Sequence, residues 1–321
     1  DYSIWHEGTG IIDGPGALRF GANPDISAAT IYVKIGSTLT IRAPFTAPGG
    51  LDMRHSTGGG TLVFDCVNTM AGDLEISSYY GTVSFSKMGN KGAADSNLGR
   101  GSSIRLTGPG VGLTYTGAGE TSDRAIMFTQ NAVLDQSGTG DLILADVSAV
   151  GPTNKTLTLK GNGTGAGEIS SAIGPGTGGT TSLAKEGAGL WRLTAANTFT
   201  GTTTVRDGTL TLCGANGALS ATSKVTLEGG TLRLSNTVAA NSADRLRNAA
   251  GVTLNGGCFE FVNDGGVANY SETLGVLTVS GAANVIKATP AAVGQASALT
   301  FASLTRSGDA FVDFQGEGLG E

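Results

Sequence analysis

The stretch VTLEGGTLRL at residues 225–234 decides the fold, together with VTLNGGCFEF at residues 252–261, a copy of it 27 residues further along. In both stretches apolar residues alternate with polar ones on each side of a Gly-Gly pair, which predicts two half-buried strands joined by a corner. Glycine suits such a corner because it adopts positive φ without a clash at Cβ. A looser copy, IRLTGPGVGL, occupies residues 104–113. Strand pairs that recur at intervals of this size predict a β-solenoid.

A longer repeat relates the first half of the chain to the second. Residues 60–76 reappear as residues 189–205, 129 positions later, with the same Asn-Thr pair and the same following glycine. Residues 81–85 reappear as residues 208–212 after an adjustment of two positions. One such unit carries about four to six inward apolar residues, too few to offset the entropy lost on ordering it. We therefore expect the units to stack about 4.8 Å apart, with a shared core and ladders of outward hydroxyl or amide side chains.

A local alternative remains open at the glycine pair. Gly229 and Gly230 could form a two-residue hairpin in which Leu227 faces Leu232 on one side of an antiparallel pair. That arrangement would suit an antiparallel β-sandwich or meander. We prefer a single elongated β-solenoid domain, because the unit recurs at a nearly constant interval without the longer connections of a sandwich.

The composition agrees with a large, turn-rich β protein. Of the 321 residues 53 are glycine, only 14% are charged and 6% are aromatic, and the net charge is −6. A helical bundle would need Ala, Glu, Lys and Leu at helical spacing, and a nucleic-acid binder would need a basic surface. No run of 18 apolar residues exists, so we expect no transmembrane segment. The chain opens with Asp1 rather than Met and stops abruptly, and we expect it to be a piece or mature form of something longer.

The three cysteines, Cys66, Cys213 and Cys258, are sparse and odd in number. They lack the pattern of a disulfide framework and the two-residue spacing of a zinc site, so we expect small buried or corner-facing thiols. One bridge between two of them is the alternative.

Residues 187–210, GAGLWRLTAANTFTGTTTVRDGTL, resemble the autotransporter-associated β-strand repeat. That family's pattern is a Gly-x-Gly-x-Leu-x-Leu opening, then Asn-Thr-aromatic-Thr-Gly, then Thr-x-Val-x-x-Gly-Thr-Leu. The Gly-Gly-Thr-Leu-x-Leu segment at residues 229–234 resembles it as well. The match is looser over residues 58–85, where Met70 replaces the aromatic residue, and it extends to residues 252–285.

The resemblance implies a right-handed parallel β-helix in the secreted passenger region of a very large bacterial surface protein. Such repeats act there as stalks, adhesin shafts or aids to export, and the family has no catalytic residues to carry over. We accordingly expect residues 1–57 to form N-terminal coils or a cap. Residues 58–294 would form the repeat-bearing solenoid, with its best copy at residues 187–234, and residues 295–321 would add C-terminal coils.

Few residues suggest chemistry. Glycoside cleavage requires two carboxylates about 5–10 Å apart, and the best pair is Asp309 and Asp313, which would share a strand face with Glu317 nearby. Turn or cap roles are the simpler interpretation of these acids. Tyr79 and Tyr80 form an aromatic pair on a glycine-rich bend and are candidates for contacting a glycan, although an ordinary corner or core role is favoured. We predict no catalytic residue, no cofactor and no metal site.

The sequence therefore favours a structural or adhesive module, a rigid stalk or filament subunit of a secreted bacterial surface protein or extracellular fibre. The expected location is extracellular, at the bacterial cell surface. Unpaired strand edges at the ends of a solenoid favour end-to-end self-association into filaments. Host or matrix glycans are further candidate partners, whereas nucleic acid is not expected. The alternatives are a carbohydrate-active β-helix (a polysaccharide lyase, hydrolase or tailspike-like depolymerase) and a glycan-binding module without catalysis.

Overall fold

The protein folds as an all-β parallel β-solenoid, as the sequence predicts. The computed structural model describes residues 3–20, 28–54, 58–281, 283–289 and 292–316, and within these ranges it contains 31 strands and no helix.

Most of the strands are short, and their bounds are β1 Ser3–His6, β2 Thr9–Ile12, β3 Leu18–Arg19, β4 Ala29–Val33, β5 Thr38–Ile41, β6 Phe45–Thr46, β7 Leu51–Arg54, β8 Thr61–Phe64, β9 Leu74–Ile76, β10 Thr82–Phe85, β11 Ser103–Leu106, β12 Val111–Tyr115, β13 Ala118–Phe128, β14 Ala132–Gln136, β15 Gly140–Ala149, β16 Lys155–Lys160, β17 Gly167–Ile169, β18 Thr181–Lys185, β19 Leu190–Leu193, β20 Ala196–Asn197, β21 Thr203–Val205, β22 Thr209–Leu212, β23 Ala218–Leu219, β24 Lys224–Leu227, β25 Thr231–Asn236, β26 Gly251–Asn255, β27 Cys258–Asn263, β28 Tyr270–Ser280, β29 Asn284–Ala288, β30 Ser297–Arg306 and β31 Val312–Gln315.

The strands of the two large sheets alternate along the chain, so the backbone completes one coil for every two of these strands. The first sheet has 14 strands in the order β1-β4-β7-β9-β11-β13-β15-β17-β19-β22-β25-β27-β29-β31. The second has 13 strands in the order β2-β5-β8-β10-β12-β14-β16-β18-β21-β24-β26-β28-β30. Two short pairs, β3 with β6 and β20 with β23, complete the described strands. Neighbouring strands run parallel, as β1 does with β4 and β24 does with β26.

The chain divides into two compact units. The first comprises residues 1–158 and 162–167, and the second comprises residues 159–161 and 168–321.

The core of the first unit is built from columns of side chains in register. Leu39, Leu62, Val83, Leu113 and Leu134 follow one another through five strands of the second sheet, and none is more than 3% exposed. In β5, β8, β10 and β14 the residues between the buried positions are less buried, as the period of two requires. Each buried Leu or Val side chain contributes about 1.5–3 kcal/mol. The columns therefore supply jointly a stabilisation that one coil could not supply alone.

In the second unit the repeat at residues 225–234 is stacked directly on its copy at residues 252–261. Val225 pairs in register with Val252, and Leu232 pairs with Phe259. The 27-residue interval in the sequence is therefore the length of one coil. The strands on either side of the glycine pair, β24 and β25, lie in different sheets. The antiparallel hairpin is accordingly wrong, because the glycine pair turns a corner of the solenoid.

Glycine is required at these corners for two reasons. Gly229 has a φ of 108° and Gly256 a φ of 83°, a backbone region that other residues rarely adopt. The second glycine of the pair lies close to the preceding coil, and a Cβ on Gly257 would come within 2.5 Å of the Leu227 Cβ. A side chain there would force the two coils apart.

The more distant repeats keep their local structure but change sheets. The strand before the Gly-Gly corner, β24, lies in the second sheet, whereas β11, which begins the copy at residues 104–113, lies in the first. The same exchange relates β8 to β19, its counterpart in the 129-residue repeat. Alternation with a period of two buries one face of a strand in either sheet. The pattern therefore predicts strands and corners but does not predict which sheet a strand enters.

Candidate functional site

A buried asparagine joins neighbouring coils in the first copy of the 129-residue repeat. Asn68 Oδ1 accepts a hydrogen bond from the Phe45 N–H at 2.9 Å, and Asn68 Nδ2 donates to the Asn97 carbonyl oxygen. The partners lie 23 residues before it and 29 residues after it, about one coil in each direction. Two residues further on, Met70 is fully buried, as is Phe199 at the matching position of the second copy. Methionine thus fills the interior position of the aromatic residue.

Asn197 repeats this arrangement in the second copy. Its Oδ1 accepts from the Ile173 N–H at 3.1 Å, and its Nδ2 donates to Ala195 O at 2.9 Å and to Ala218 O at 3.0 Å. An unpaired amide buried at this depth would cost about 1–3 kcal/mol. The Asn-Thr motif of the repeat is therefore a structural tie between coils.

Hydroxyl pairs join adjacent coils at two places, one on the outward surface, where the sequence predicts hydroxyl ladders, and one in the interior. Thr46 Oγ1 and Thr69 Oγ1 lie 2.8 Å apart on adjacent coils at the exposed surface. Thr203 Oγ1 and Thr222 Oγ1 lie 3.2 Å apart in a buried position. Neighbouring coils thus share side-chain as well as backbone hydrogen bonds.

Four cationic side chains of the described residues are buried and end on backbone carbonyl oxygens: Arg124, Lys155, Lys185 and Arg245. Lys155 Nζ donates to Val150 O at 2.8 Å and to Gly151 O at 3.0 Å. The Arg124 guanidinium donates to Leu98 O at 3.1 Å. Because the corners of a solenoid turn carbonyls out of the sheet ladders, such a cation satisfies acceptors that would otherwise be unpaired.

Lys185 lies two residues before the best copy of the repeat, which begins at residue 187. Its Nζ donates to three carbonyl oxygens, those of Glu186 at 2.9 Å, Gly187 at 2.5 Å and Asp207 at 3.1 Å. Burial lowers the pKa of Lys185 to about 8, although the nearby Asp207 and Glu186 carboxylates oppose the shift. Burying the charged ammonium group of Lys185 costs free energy, and its hydrogen bonds to the three carbonyl oxygens offset part of that cost.

Arg245 and Glu272 fasten three successive coils. Arg245 Nε donates to Asn236 Oδ1 at 2.6 Å, and its Nη1 donates to Gly217 O at 2.8 Å. The Glu272 carboxylate accepts the Arg245 N–H at 3.1 Å and the Leu246 N–H at 3.0 Å. Burial raises the pKa of Glu272 to about 7, against the effect of these two backbone hydrogen bonds. The irregular segment between β25 and β26 is thereby held against the coils on both sides.

Sequence reasoning missed these buried ionic residues because it assigned charged side chains to solvent. A signal was present for most of them. Arg124 alternates with Ile126 and Phe128, all three buried, and Glu272 alternates with other buried residues of β28 in the same way. Arg245 lies outside the named strands, and no pattern marks it.

Tyr79 and Tyr80 lie at an exposed corner, with 49% and 65% of their surface exposed. Tyr80 is a non-glycine residue with a positive φ, 56°, and its N–H donates to Pro109 O at 3.0 Å. Its ring lies against Gly110, where a Cβ would come within 2.4 Å of the ring. The bend thus holds the Tyr80 side chain in solvent; its contact with a glycan stays a prediction.

Asp309 and Asp313 do not share a strand, so the expected common strand face is wrong. Asp309 lies in the turn before β31, with its Oδ1 3.9 Å from Arg306 Nη2. Asp313 lies within β31, and its Oδ2 accepts from Gln315 Nε2 at 2.8 Å. Glu317 lies outside the described residues. Asp309 follows Gly308 in this turn and forms an ion pair with Arg306, which is typical of an ordinary turn residue.

The three cysteines are free thiols, each partly buried. Cys66 Sγ donates to Ala43 O at 3.2 Å. Burial raises the pKa of all three, that of Cys66 to about 11. The expectation of unpaired thiols at Cys66, Cys213 and Cys258 is confirmed, although none of the three is fully buried, and the alternative of a bridge is wrong.

A cleft of about 470 Å³ lies at the corner between β12 and β13, where Lys87, Tyr115 and Glu120 line it. Glu120 accepts two backbone N–H groups, one of them from Met88 at 2.6 Å, and Tyr115 Oη accepts the Gly119 N–H at 2.9 Å. Glu120 thus holds the loop that follows β10, and Tyr115 holds the corner at the start of β13. In the described ranges no cluster of three His, Cys, Asp or Glu side chains could hold a metal ion. The same residues contain no helix with the length and hydropathy needed to span a bilayer.

Comparison with known proteins finds a repeat family that matches part of the second unit. Residues 183–212, which include Lys185, Trp191 and Asn197, match the passenger-associated-transport-repeat. Trp191 is 1% exposed and donates from Nε1 to Lys160 O at 2.9 Å, so the most conspicuous residue of the match is a core residue. No solved structure matches the chain.

A relative among characterised proteins is the adhesin BmaC autotransporter of Brucella suis biovar 1 (strain 1330). The two are 38% identical over 181 residues, which is 56% of this chain and 5% of the adhesin. The chain thus spans about one twentieth of the length of this relative. The resemblance seen in the sequence is confirmed: the chain is a β-solenoid with a passenger-type transport repeat, related to an autotransporter adhesin.

Proposed function

We propose that the chain is a structural segment of a secreted bacterial surface adhesin, a non-enzymatic shaft at the cell surface. The observation that carries this proposal is the continuity of the buried columns. In the second unit Trp191, Leu210, Leu232, Phe259 and Ile286 follow one another in register, and none is more than 4% exposed. A core of this kind has no natural limit, because each coil is completed by the next.

The same architecture suits secretion. Each coil offers the next one a complete row of backbone partners and an apolar surface, so folding can proceed coil by coil once the chain emerges. Only 14% of the residues are charged, which limits repulsion between like charges at the spacing of the strands. The relationship to an adhesin supports the location at the cell surface.

Surface display tests this role. The chain would be fused between a signal peptide and the translocator of an autotransporter, with a tag at its N-terminus. Leu232→Asp places a charge in the core of the repeat, and Thr226→Asp places the same charge on the outward face of β24. We expect Leu232→Asp to become protease-sensitive and to bring the tag closer to the membrane, whereas Thr226→Asp behaves as the wild type. Equal protease resistance and tag distance in both variants would contradict a shaft built on the stacked core.

The non-enzymatic part of the proposal has its own test. The purified chain would be incubated with neutral and acidic polysaccharides, and new reducing ends or unsaturated products would be measured. We expect no turnover. Cleavage that disappears in Asp309→Asn or Asp313→Asn would support the carbohydrate-active alternative instead.

End-to-end association is the second element of the proposal. Strands β30 and β31 come last in their sheets, and each pairs on one side within the described residues. Leu304 of β30 is 60% exposed, and such edges accept a further strand. We expect the sedimentation coefficient of the wild-type chain to rise with protein concentration. The Leu304→Lys variant should not show this rise. A wild-type chain that stays monomeric at high concentration would exclude the filament and leave the shaft.

A further inference from the structure

The outward face of the second sheet carries two columns of small, uncharged side chains in the first unit. The first column runs in register through β2, β5, β8 and β10 and consists of Thr9, Thr38, Thr61 and Thr82. Leu39 and Leu62, the next residues of two of these strands, are buried in the core, so the threonines point towards solvent. Four successive coils therefore present the same side chain at the same place.

The second column lies two residues further along the same strands. It consists of Ile11, Thr40, Val63 and Ser84, followed by Thr114 in β12. It ends where Asp135 follows Thr114 in β14. Most of these residues are β-branched, and such side chains are restricted at χ1, so their methyl and hydroxyl groups keep a fixed orientation. Together the two columns form the threonine array.

The threonine array has a regular spacing in two directions. Neighbouring coils lie about 4.8 Å apart, and two residues along a strand span about 6.7 Å. Both columns belong to one sheet and stay in register, so these spacings recur over four successive coils. Hexagonal ice repeats its oxygen atoms at similar distances along two perpendicular directions of its prism face. The array therefore has the geometry of a template for an ice surface.

We propose that the threonine array binds the surface of ice. The methyl groups restrict the orientation of the water molecules beside them, and the hydroxyl groups hold such water by hydrogen bonds. Because both kinds of group recur on a rigid lattice, the water that they order can join the crystal. Ice is formed by the solvent itself, so adsorption is not limited by the concentration of a dissolved ligand.

The surroundings favour ice over other partners. Two ion pairs border the array, Arg42 with Asp65 at 3.2 Å and Lys34 with Glu7 at 3.1 Å, and in each pair the charges balance. A charged ligand therefore finds no net charge to bind. A stable protein interface buries about 800 Å² on each partner, whereas the array measures only about 20 Å by 7 Å. The array also contains no aromatic ring on which a sugar could pack.

The second unit offers a comparison. Threonines also follow one another in register through outward positions of its second sheet, at Thr204, Thr226, Thr253 and Thr278. Charged residues flank this column on both sides, with Lys224 before Thr226 and Glu228 after it. An ammonium group is strongly hydrated and imposes its own order on nearby water. The second unit thus has one ladder of threonines but lacks an uncharged array of two columns.

Freezing measurements on the purified chain test the proposal. We expect the wild-type chain to lower the freezing point of a solution below its melting point, to slow the recrystallisation of small ice crystals, and to enter slowly growing ice. Thr61→Lys places a long charged side chain in the first column and should remove all three effects. Thr40→Lys does the same in the second column. Thr61→Val should retain most of each effect, because it keeps the shape of the side chain.

The matched control is Thr226→Lys, which makes the same substitution on the outward face of β24. It should act on ice as the wild type does. Circular dichroism and the melting temperature of each variant distinguish loss of binding from loss of the fold.

Three results would overturn the proposal: the wild-type chain has no effect on ice, the folded Thr61→Lys and Thr40→Lys variants keep the effect, or Thr226→Lys loses it to the same extent. Self-association that Thr61→Lys abolishes and Leu304→Lys does not would assign the array to a contact between copies of the chain instead. These measurements do not depend on display, so the array and the shaft can fail separately.

Discussion

One column of inward side chains in the second unit is buried at two successive positions and exposed to solvent at the next. Phe259 and Ile286 are 0% and 4% exposed, whereas Phe314, the next residue in register, is 52% exposed. In the other sheet Leu277 is 2% exposed and its partner Leu304 is 60% exposed. The residue types are alike at all these positions. The difference teaches that the following coil, rather than the hydrophobicity of the residue itself, completes its burial.

The burial of inward charged residues also differs along one column. Lys185 and Arg306 occupy inward positions of one column, linked in register through Val205, Leu227 and the strands that follow. Lys185 is fully buried on three carbonyl oxygens, whereas the Arg306 side chain is 59% exposed. An inward charge is thus accommodated either by corner carbonyls or by solvent.

The largest expected effect is on the apolar column. Phe259→Ala should lower the free energy of unfolding by about 3–5 kcal/mol, because it leaves a cavity between two coils. Phe314→Ala should lower it by less than about 1 kcal/mol, since solvent already reaches that ring. Urea denaturation of both variants measures the difference. Similar losses would mean that the last coil is covered in solution.

The next comparison concerns the buried arginine. Arg245→Met should cost about 3 kcal/mol, because the Gly217 and Gly214 carbonyl oxygens lose their guanidinium donors. Arg306→Met should change stability by no more than about 0.5 kcal/mol. Thermal unfolding of the two variants checks the ranking. If the Arg245→Met variant were as stable as the wild type, water would be forming hydrogen bonds with the acceptors that Arg245 leaves.

Glu272 should make stability depend on pH. Its pKa is about 7 in the folded chain against an ordinary value of 4.5. The folded state therefore holds more protons between these values, and stability falls as pH rises from about 4.5 to about 7, by on the order of 3 kcal/mol. Glu272→Gln should remove this part of the dependence. Denaturation midpoints at pH 4.5 and 7.5 measure it, and parallel profiles for both proteins would refute the assignment.

The smallest effect concerns the hydroxyl ladders. Thr203→Val breaks a buried hydroxyl pair and should cost about 1 kcal/mol, whereas Thr46→Val breaks an exposed pair and should cost about half as much. Denaturant titration at a single pH resolves the two. Equal costs would indicate that burial does not strengthen these pairs.

The sequence predicted most of the fold and little of the polar interior. The Gly-Gly corner of residues 225–234 and its 27-residue copy were sufficient for the solenoid, because coil length equals the repeat interval. The Asn-Thr motif marked Asn68 and Asn197 as repeat positions, but their bonds to neighbouring coils required the structure. The pairing of Asp309 with Asp313 failed because Asp309 lies in the turn before β31, a turn that Gly308 already marks in the sequence.

By itself the sequence determined that short alternating strands and glycine corners recur, and this periodicity favours a stacked core. The tertiary structure alone decided which sheet each strand enters, which inward charges meet carbonyls, and which outward residues align across coils. Thr9, Thr38 and Thr61 are more than twenty residues apart in succession, and Arg245 and Glu272 belong to different coils. Such neighbours are set by the length of each coil, which varies with its loops, and no local pattern encodes that length.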